Sequence, residues 1–264
     1  SRVVHGQDRV REATRIRVQQ AIEELGYVPD GAAQSLSRRR KDVIGLVCVE
    51  RHEQQYDIEN MNLLFYDEVL RGVESRIRNH DWSLLITFLQ GAHDPSYARI
   101  ESFTGKVDGI LIGEGIVPSP FIERLATRLP VVIFAGTPHE QAVDVVAADN
   151  LSGSAAVVTH LIRQHGRRRL YWVHGPADSP DSRERRLGLD YVLHANPQME
   201  LTGFYQGFYS VQSGEEAGEA LLARPRRELP DAVVSANDQM AIGVVKALSR
   251  AGVRVPEDVA VVGF

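Results

Sequence analysis

Residues 1–45, SRVVHGQDRVREATRIRVQQAIEELGYVPDGAAQSLSRRRKDVIG, decide how the rest of the chain is read. Val18, Ala21, Ile22 and Leu25 stand at i, i+3, i+4 and i+7, the spacing that lines up one apolar stripe on a 3.6-residue helix. Gly26 follows as a stop signal and Pro29 stands three residues beyond it. Residues 1–5, closed by Gly6, read as the tail of a preceding helix. Asp30 reads as the cap of a short helix running through Leu36. A cationic run, 38–41, then gives way to the apolar segment 43–49.

Charge divides the chain at the same place. Residues 1–41 hold nine Lys or Arg against five Asp or Glu, while the remainder is acidic by about nine charges, a split that the overall net charge of −5 conceals. A basic, helical arm on an acidic body points to a segment that meets a polyanion and a body with another task. A solvated charge run would account for 38–41 alone, though not for the helix before it.

The body alternates short apolar runs with helical patterns. Strands are expected at 43–49, 83–88, 109–112, 131–134, 169–174, 232–235 and 259–262. Helices are expected near 63–80, 95–105, 119–128, 151–165, 182–195, 213–223 and 238–251. Continuously apolar strands separated by helices imply βαβ units and parallel sheets covered on both faces. At 264 residues and 43% hydrophobic content, the chain can bury more than one core. No apolar run reaches the length of a membrane span. The single Cys48 lies in the first apolar run and cannot form an internal disulfide, which fits a reducing cytoplasm.

The phrases "SRVVHG", "RVQQAIEELGYVPDGAAQSL", "DVIGLV", "VLRGVE", "VDGILI", "LPVVIF", "HLIRQHGRRRLYWVHGP", "SANDQMAIGVVKAL" and "GVRVPEDVAVVGF", in this order, resemble the LacI/GalR family of bacterial transcription regulators over nearly the whole chain. The resemblance implies an α/β, two-lobed sensor of the type I periplasmic-binding-protein kind with a ligand cleft between lobes, preceded by a partial all-α helix-turn-helix. It implies four parts: 1–29, the C-terminal part of the helix-turn-helix; 30–42, hinge helix and linker; 43–146, the first lobe; and 147–264, the second, with a crossing near 146–151. It also implies that both ends are cut, so that this chain alone neither dimerises nor holds an operator tightly.

The implied function is ligand-gated binding of double-stranded operator DNA, most often as a repressor, by a homodimer or larger assembly, with no enzymatic activity, metal or cofactor. Ser1 and Arg2 fall at the end of the recognition helix, where Arg can meet a guanine edge or a phosphate. Arg15 and Arg17 are candidates for phosphate contacts, which position without reading sequence. Leu36 matches the hinge Leu that wedges into the minor groove and kinks the site. A Leu of a short helix packed on the body is the plainer alternative.

For the effector, Phe65 and Tyr66 match two aromatics opening the first long helix, with burial in the core as the competing role. Tyr209 matches an aromatic set against a sugar or base. Arg183 matches an Arg that hydrogen-bonds ligand oxygens through its rigid fork of donors, in competition with Arg185 and Arg186 for the inward position. Asn237 offers an amide that can donate and accept. Asp149 and Asn150 precede a helix and read as caps. Gly113 and Ala135 stand where sugar-responsive relatives often carry polar groups, Leu63 and Leu64 replace an Asn-Pro, and 50–62 is a polar insertion at the expected cleft mouth. Sugars come first as effectors, nucleosides or purines second.

No GxSxG elbow, P-loop or paired-Cys signature is present, His52-Glu53 lacks a second His, and the nine His are scattered. An exported sugar-binding receptor would share the body but has no use for the basic arm. A DNA-bound scaffold with a ligand-free cleft is the remaining alternative.

Overall fold

The computed structural model describes residues 10–27, 40–49, 62–89, 95–136 and 143–264. The first described element is α1, Glu12–Glu24. It ends as its sequence predicts: Gly26 takes a left-handed φ of 56°, Gly26 N donates to Glu23 O and Tyr27 N to Ile22 O. This is the paired 5→2 and 6→1 arrangement that satisfies orphan carbonyls at a helix C-terminus. No residue of α1 is buried, and Leu25 is 80% exposed. Among the described residues the expected apolar stripe is therefore real as a pattern but forms no core: with Arg17 and Tyr27 it lines an open depression.

The body holds two parallel sheets. Sheet one runs β2-β1-β3-β4-β5, with β1 at Val43–Val49, β2 at Ser83–Leu89, β3 at Gly109–Gly113, β4 at Val131–Phe134 and β5 at Asp144–Val146. Its helices are α2, Asn62–Ile77, and α3, Ser119–Ala126, with a 3₁₀ stretch at Pro95–Gly105 where the sequence pattern suggests an α-helix. Sheet two runs β7-β6-β8-β9, with β6 at Arg169–His174, β7 at Glu200–Gln206, β8 at Ala232–Ser235 and β9 at Ala260–Val262. It carries α4, Asn150–His165, α5, Pro180–Ala195, α6, Val211–Leu222, and α7, Asp238–Arg250. Leu170, Tyr171, Trp172 and Val173 are buried in succession, as only a strand covered on both faces can be.

The second sheet repeats the strand order of the first, and one device recurs with it. The Asp108 carboxylate, just before β3, accepts from Lys41 N at 2.8 Å and Asp42 N at 2.7 Å, at the entry to β1. Asp231, before β8, accepts from Arg168 N at 2.7 Å and Arg169 N at 3.0 Å, at the entry to β6. In each lobe a carboxylate thus fixes the start of the first strand against the third. The basic run is partly spent on the same joint. Lys41 Nζ donates to the carbonyls of Thr104 and Val107, and the Arg40 guanidinium lies 4.6 Å from the Trp82 ring centre.

Candidate functional site

In open parallel sheets, ligands bind outside the carboxyl ends of the strands, at the point where strand order reverses. That point lies between β1 and β3 in one sheet and between β6 and β8 in the other. A cavity of about 530 Å³ lies there, lined from both lobes, within the 300–1,000 Å³ common for small-molecule sites.

The first lobe supplies an aromatic wall. Phe65 and Tyr66, in the first turn of α2, stand edge to face at 5.5 Å, and each is 6.3 Å from Phe134 at the end of β4. Both candidates line the cavity, and Phe65 is 48% exposed, so its ring is not spent on the core. Gly113 and Ala135 also line it. A Cβ on Gly113 would sit 2.6 Å from Ile116 Cδ1, which leaves no room for a polar side chain. Glu114, the next residue, lines the cavity instead.

The second lobe supplies most of the polar groups. Tyr209 takes a left-handed φ of 64°, its hydroxyl lies 3.2 Å from Ser179 Oγ, and burial raises the pKa of its phenol. Its ring lies so close to Gly175 that any Cβ there would overlap it. Asn237 lines the cavity, but its amide is engaged: Oδ1 caps α7 by accepting from Met240 N, and Nδ2 donates to Tyr209 O and Gln239 Oε1. Its visible work is to hold Tyr209 and Gln239 in place.

Of the three competing arginines, Arg185 and not Arg183 is the one at the cavity. Arg183 is exposed, its Nη1 donates to the carbonyl of Asp178 at 3.1 Å, and it does not line the cavity. Arg185 does. The cause is helical phase. Asp181, Arg185, Leu189 and Val192 fall on one stripe of α5, and two residues of helix turn Arg183 about 200° away. Arg185 Nε donates to Asn150 Oδ1 at 2.8 Å and Nη1 to Ala236 O, while its Cζ lies 4.0 Å from the Phe264 ring centre and 5.9 Å from that of Tyr209. Burial lowers the pKa of this guanidinium, opposed by Tyr209, Asp181, Asp238 and Glu184. Asn150 is more than a cap. Buried at the lobe crossing, it also donates to Asp181 and Glu184, while Asp149 is the cap, accepting from Ser152 N.

Lining residues without a role in the sequence reading include Glu68, Glu114, Asp181, Asp238, Gln239 and Phe264. Only Asp181 carried a signal, its place on the inward stripe of α5. Of the DNA candidates, Ser1, Arg2 and Leu36 lie outside the described residues, as does nearly all of the 50–62 insertion. Arg15 and Arg17 both lie on α1 but, two residues apart, project from nearly opposite sides. Among the described residues no helix is long and apolar enough to cross a membrane.

A two-lobed body with a lined interlobe cleft is the architecture of a ligand-sensing protein. The comparisons make the assignment specific. Residues 1–30 match the bacterial regulatory proteins of the lacI family, and residues 158–264 match a periplasmic binding protein-like domain. The HTH-type transcriptional regulator CelR of Thermobifida fusca is 32% identical over 270 residues, covering 100% of this chain and 76% of the relative. Among solved structures, a lac repressor dimer bound to operator and the anti-inducer ONPF superposes with a TM-score of 0.82 at 24% identity, covering 99% of this chain and 76% of that one. A CelR–cellobiose complex gives a TM-score of 0.64 at 31% identity, covering 99% and 76%. The chain belongs to the LacI family: it is a DNA-binding transcription regulator that responds to a ligand.

Proposed function

We propose that the interlobe cleft binds a small sugar, and that its occupancy sets how tightly a homodimer of the protein holds a symmetric operator. The observation that carries this reading is the cleft itself: an aromatic wall faces a guanidinium and hydroxyl groups across a cavity about 530 Å³ in volume. Aromatic faces cover the apolar faces of a sugar ring while polar groups meet its hydroxyls, the mixed lining that small-molecule sites use for orientation. The CelR–cellobiose complex, at 31% identity, makes cellobiose the first probe. Nucleosides and purines come second.

In this reading, 1–29 belong to the DNA-binding domain, 30–42 to the hinge and linker, and 43–146 and 147–264 to the two lobes. The DNA-contacting residues are Ser1 and Arg2, with Arg15 and Arg17 on phosphates and Leu36 as a wedge. Phe65, Tyr66, Tyr209 and Arg185 touch the effector, with Asn237 holding Tyr209. The protein works in the cytoplasm, alongside the DNA it reads.

Arg185 is also placed to pass the signal on. It joins the cleft to Asn150 on the lobe crossing and stacks on Phe264, which packs against Gly153 in the first turn of α4. A ligand that prefers one lobe orientation shifts the balance by its difference in affinity between the two states, and operator affinity must change by the same factor.

The test pairs Arg185→Ala with Arg183→Ala. Operator fragments selected from random DNA are titrated by fluorescence anisotropy, with and without cellobiose and a panel of further sugars. Losing hydrogen bonds from a charged donor should weaken the sugar response of Arg185→Ala about ten- to a hundredfold. Arg183→Ala should keep it. Equal responses from both variants would sink the assignment.

A further inference from the structure

The charges around the cleft narrow the ligand class, an inference that rests on the effector reading above. Among its described lining residues are four carboxylates, Glu68 and Glu114 from the first lobe and Asp181 and Asp238 from the second, against one guanidinium, Arg185. Among the described lining residues the formal surplus is three negative charges. Arg185 offsets one of the four charges, and its donors are partly engaged. Its Nε and Nη1 are already given to Asn150 Oδ1 and the Ala236 carbonyl, and its Cζ lies over the Phe264 ring. The planar side-on fork that grips phosphate or carboxylate with two parallel hydrogen bonds is therefore broken at Nε.

The remaining groups suit hydroxyls. Carboxylates accept from O–H donors, Ser179 and Tyr209 carry hydroxyls that can donate or accept, and Phe65, Tyr66 and Phe134 offer apolar faces. An anionic ligand would bring its own charge into a partly enclosed, low-dielectric space beside like charges, where repulsion is several times stronger than in bulk water.

We infer that the cleft takes an uncharged or amine-bearing polyhydroxyl ligand and rejects phosphorylated or carboxylated ones. A sugar, disaccharide, amino sugar or nucleoside fits. A sugar phosphate, sugar acid or nucleotide does not.

The experiment follows thermal unfolding of the full chain at low ionic strength with matched probes: glucose, glucosamine, glucose 6-phosphate and gluconate; cellobiose and cellobionate; adenosine and AMP. Every probe that stabilises the protein should be uncharged or carry an amine, and its anionic counterpart should bind at least about tenfold more weakly. Added salt should narrow that gap by screening. So should Glu68→Gln, a change at an exposed residue that leaves the core intact. An anionic probe binding as tightly as its uncharged counterpart would overturn the charge argument and leave the gated regulator standing. No response to any probe would withdraw both readings together.

Discussion

Gly243 in α7 and Gly72 in α2 both lie inside helices, so Gly→Ala gives each the same local gain of about 1 kcal/mol in helix propensity. They differ in what the new methyl group meets. At Gly72, apart from its own stretch of helix, no atom of the described residues lies within 4 Å of the new Cβ. At Gly243 the Cβ would stand 2.1 Å from the carbonyl oxygen of Val211 and 2.6 Å from Glu215 N, whereas ordinary van der Waals contact begins at 3.4 Å. The obstacle is backbone, which cannot swing aside, and Gly214 on the facing helix is equally tight, 2.2 Å from Met240 O. Helices α6 and α7 would have to part by about 1.3 Å, loosening Met240, Val244, Ala217 and Leu221, all buried at the crossing.

Overpacking of this kind costs about 1–3 kcal/mol, and backbone contacts belong at the upper end. After the propensity gain, Gly243→Ala should be less stable by about 2 kcal/mol, a midpoint lower by roughly 4–8 °C. Gly72→Ala should be more stable by about 0.5–1 kcal/mol. The two tryptophans separate the lobes in thermal unfolding, since Trp82 belongs to the first and the buried Trp172 to the second. Gly243→Ala unfolding at or above the unsubstituted midpoint would refute the close-packing argument, as would shifts of equal sign in both variants.

Two further predictions concern titratable groups. Cys48 is 1% exposed and burial pushes its thiol up to about 11; because the thiolate is the nucleophile, the native protein should resist a disulfide-exchange reagent at pH 8 and react stoichiometrically once unfolded in guanidinium. Burial, aided by Arg186 and opposed by Asp190, lowers the pKa of His174 below its ordinary 6.5. A folded pKa below the unfolded one means a contribution complete above 6.5 and lost as pH falls through the folded value. Urea midpoints at pH 7.5 and pH 5 should therefore differ less for His174→Gln than for the unsubstituted chain, and an unchanged difference would discount His174.

Much of the fold is legible locally, and the exceptions have physical causes. Strands β1, β3, β4, β6 and β8 each carry a continuous apolar run because helices cover both faces, so these runs stand out. Strand β7, ELTGFYQ, is missed because it is an edge strand with Thr, Gln and a Gly203 at φ 155°, hydrogen-bonded only to β6. Strand β5 has three residues, too few for any period to show. The aromatic pair Phe65-Tyr66 is legible through the family resemblance, which puts such a pair at the opening of the first long helix.

The sequence by itself determined the strand and helix order, the stop at Gly26, the basic arm and the aromatic opening of α2, all products of short-range chemistry. Even Arg185 had a local signal, since it shares a helical stripe with Leu189 and Val192. Only the tertiary structure decided that the stripe continues from core into cleft, that Asn150 engages Arg185, and that four carboxylates share one cavity. The periodicity of a helix tells which residues share a face, but what that face meets is decided when a second lobe, many residues away, packs opposite it.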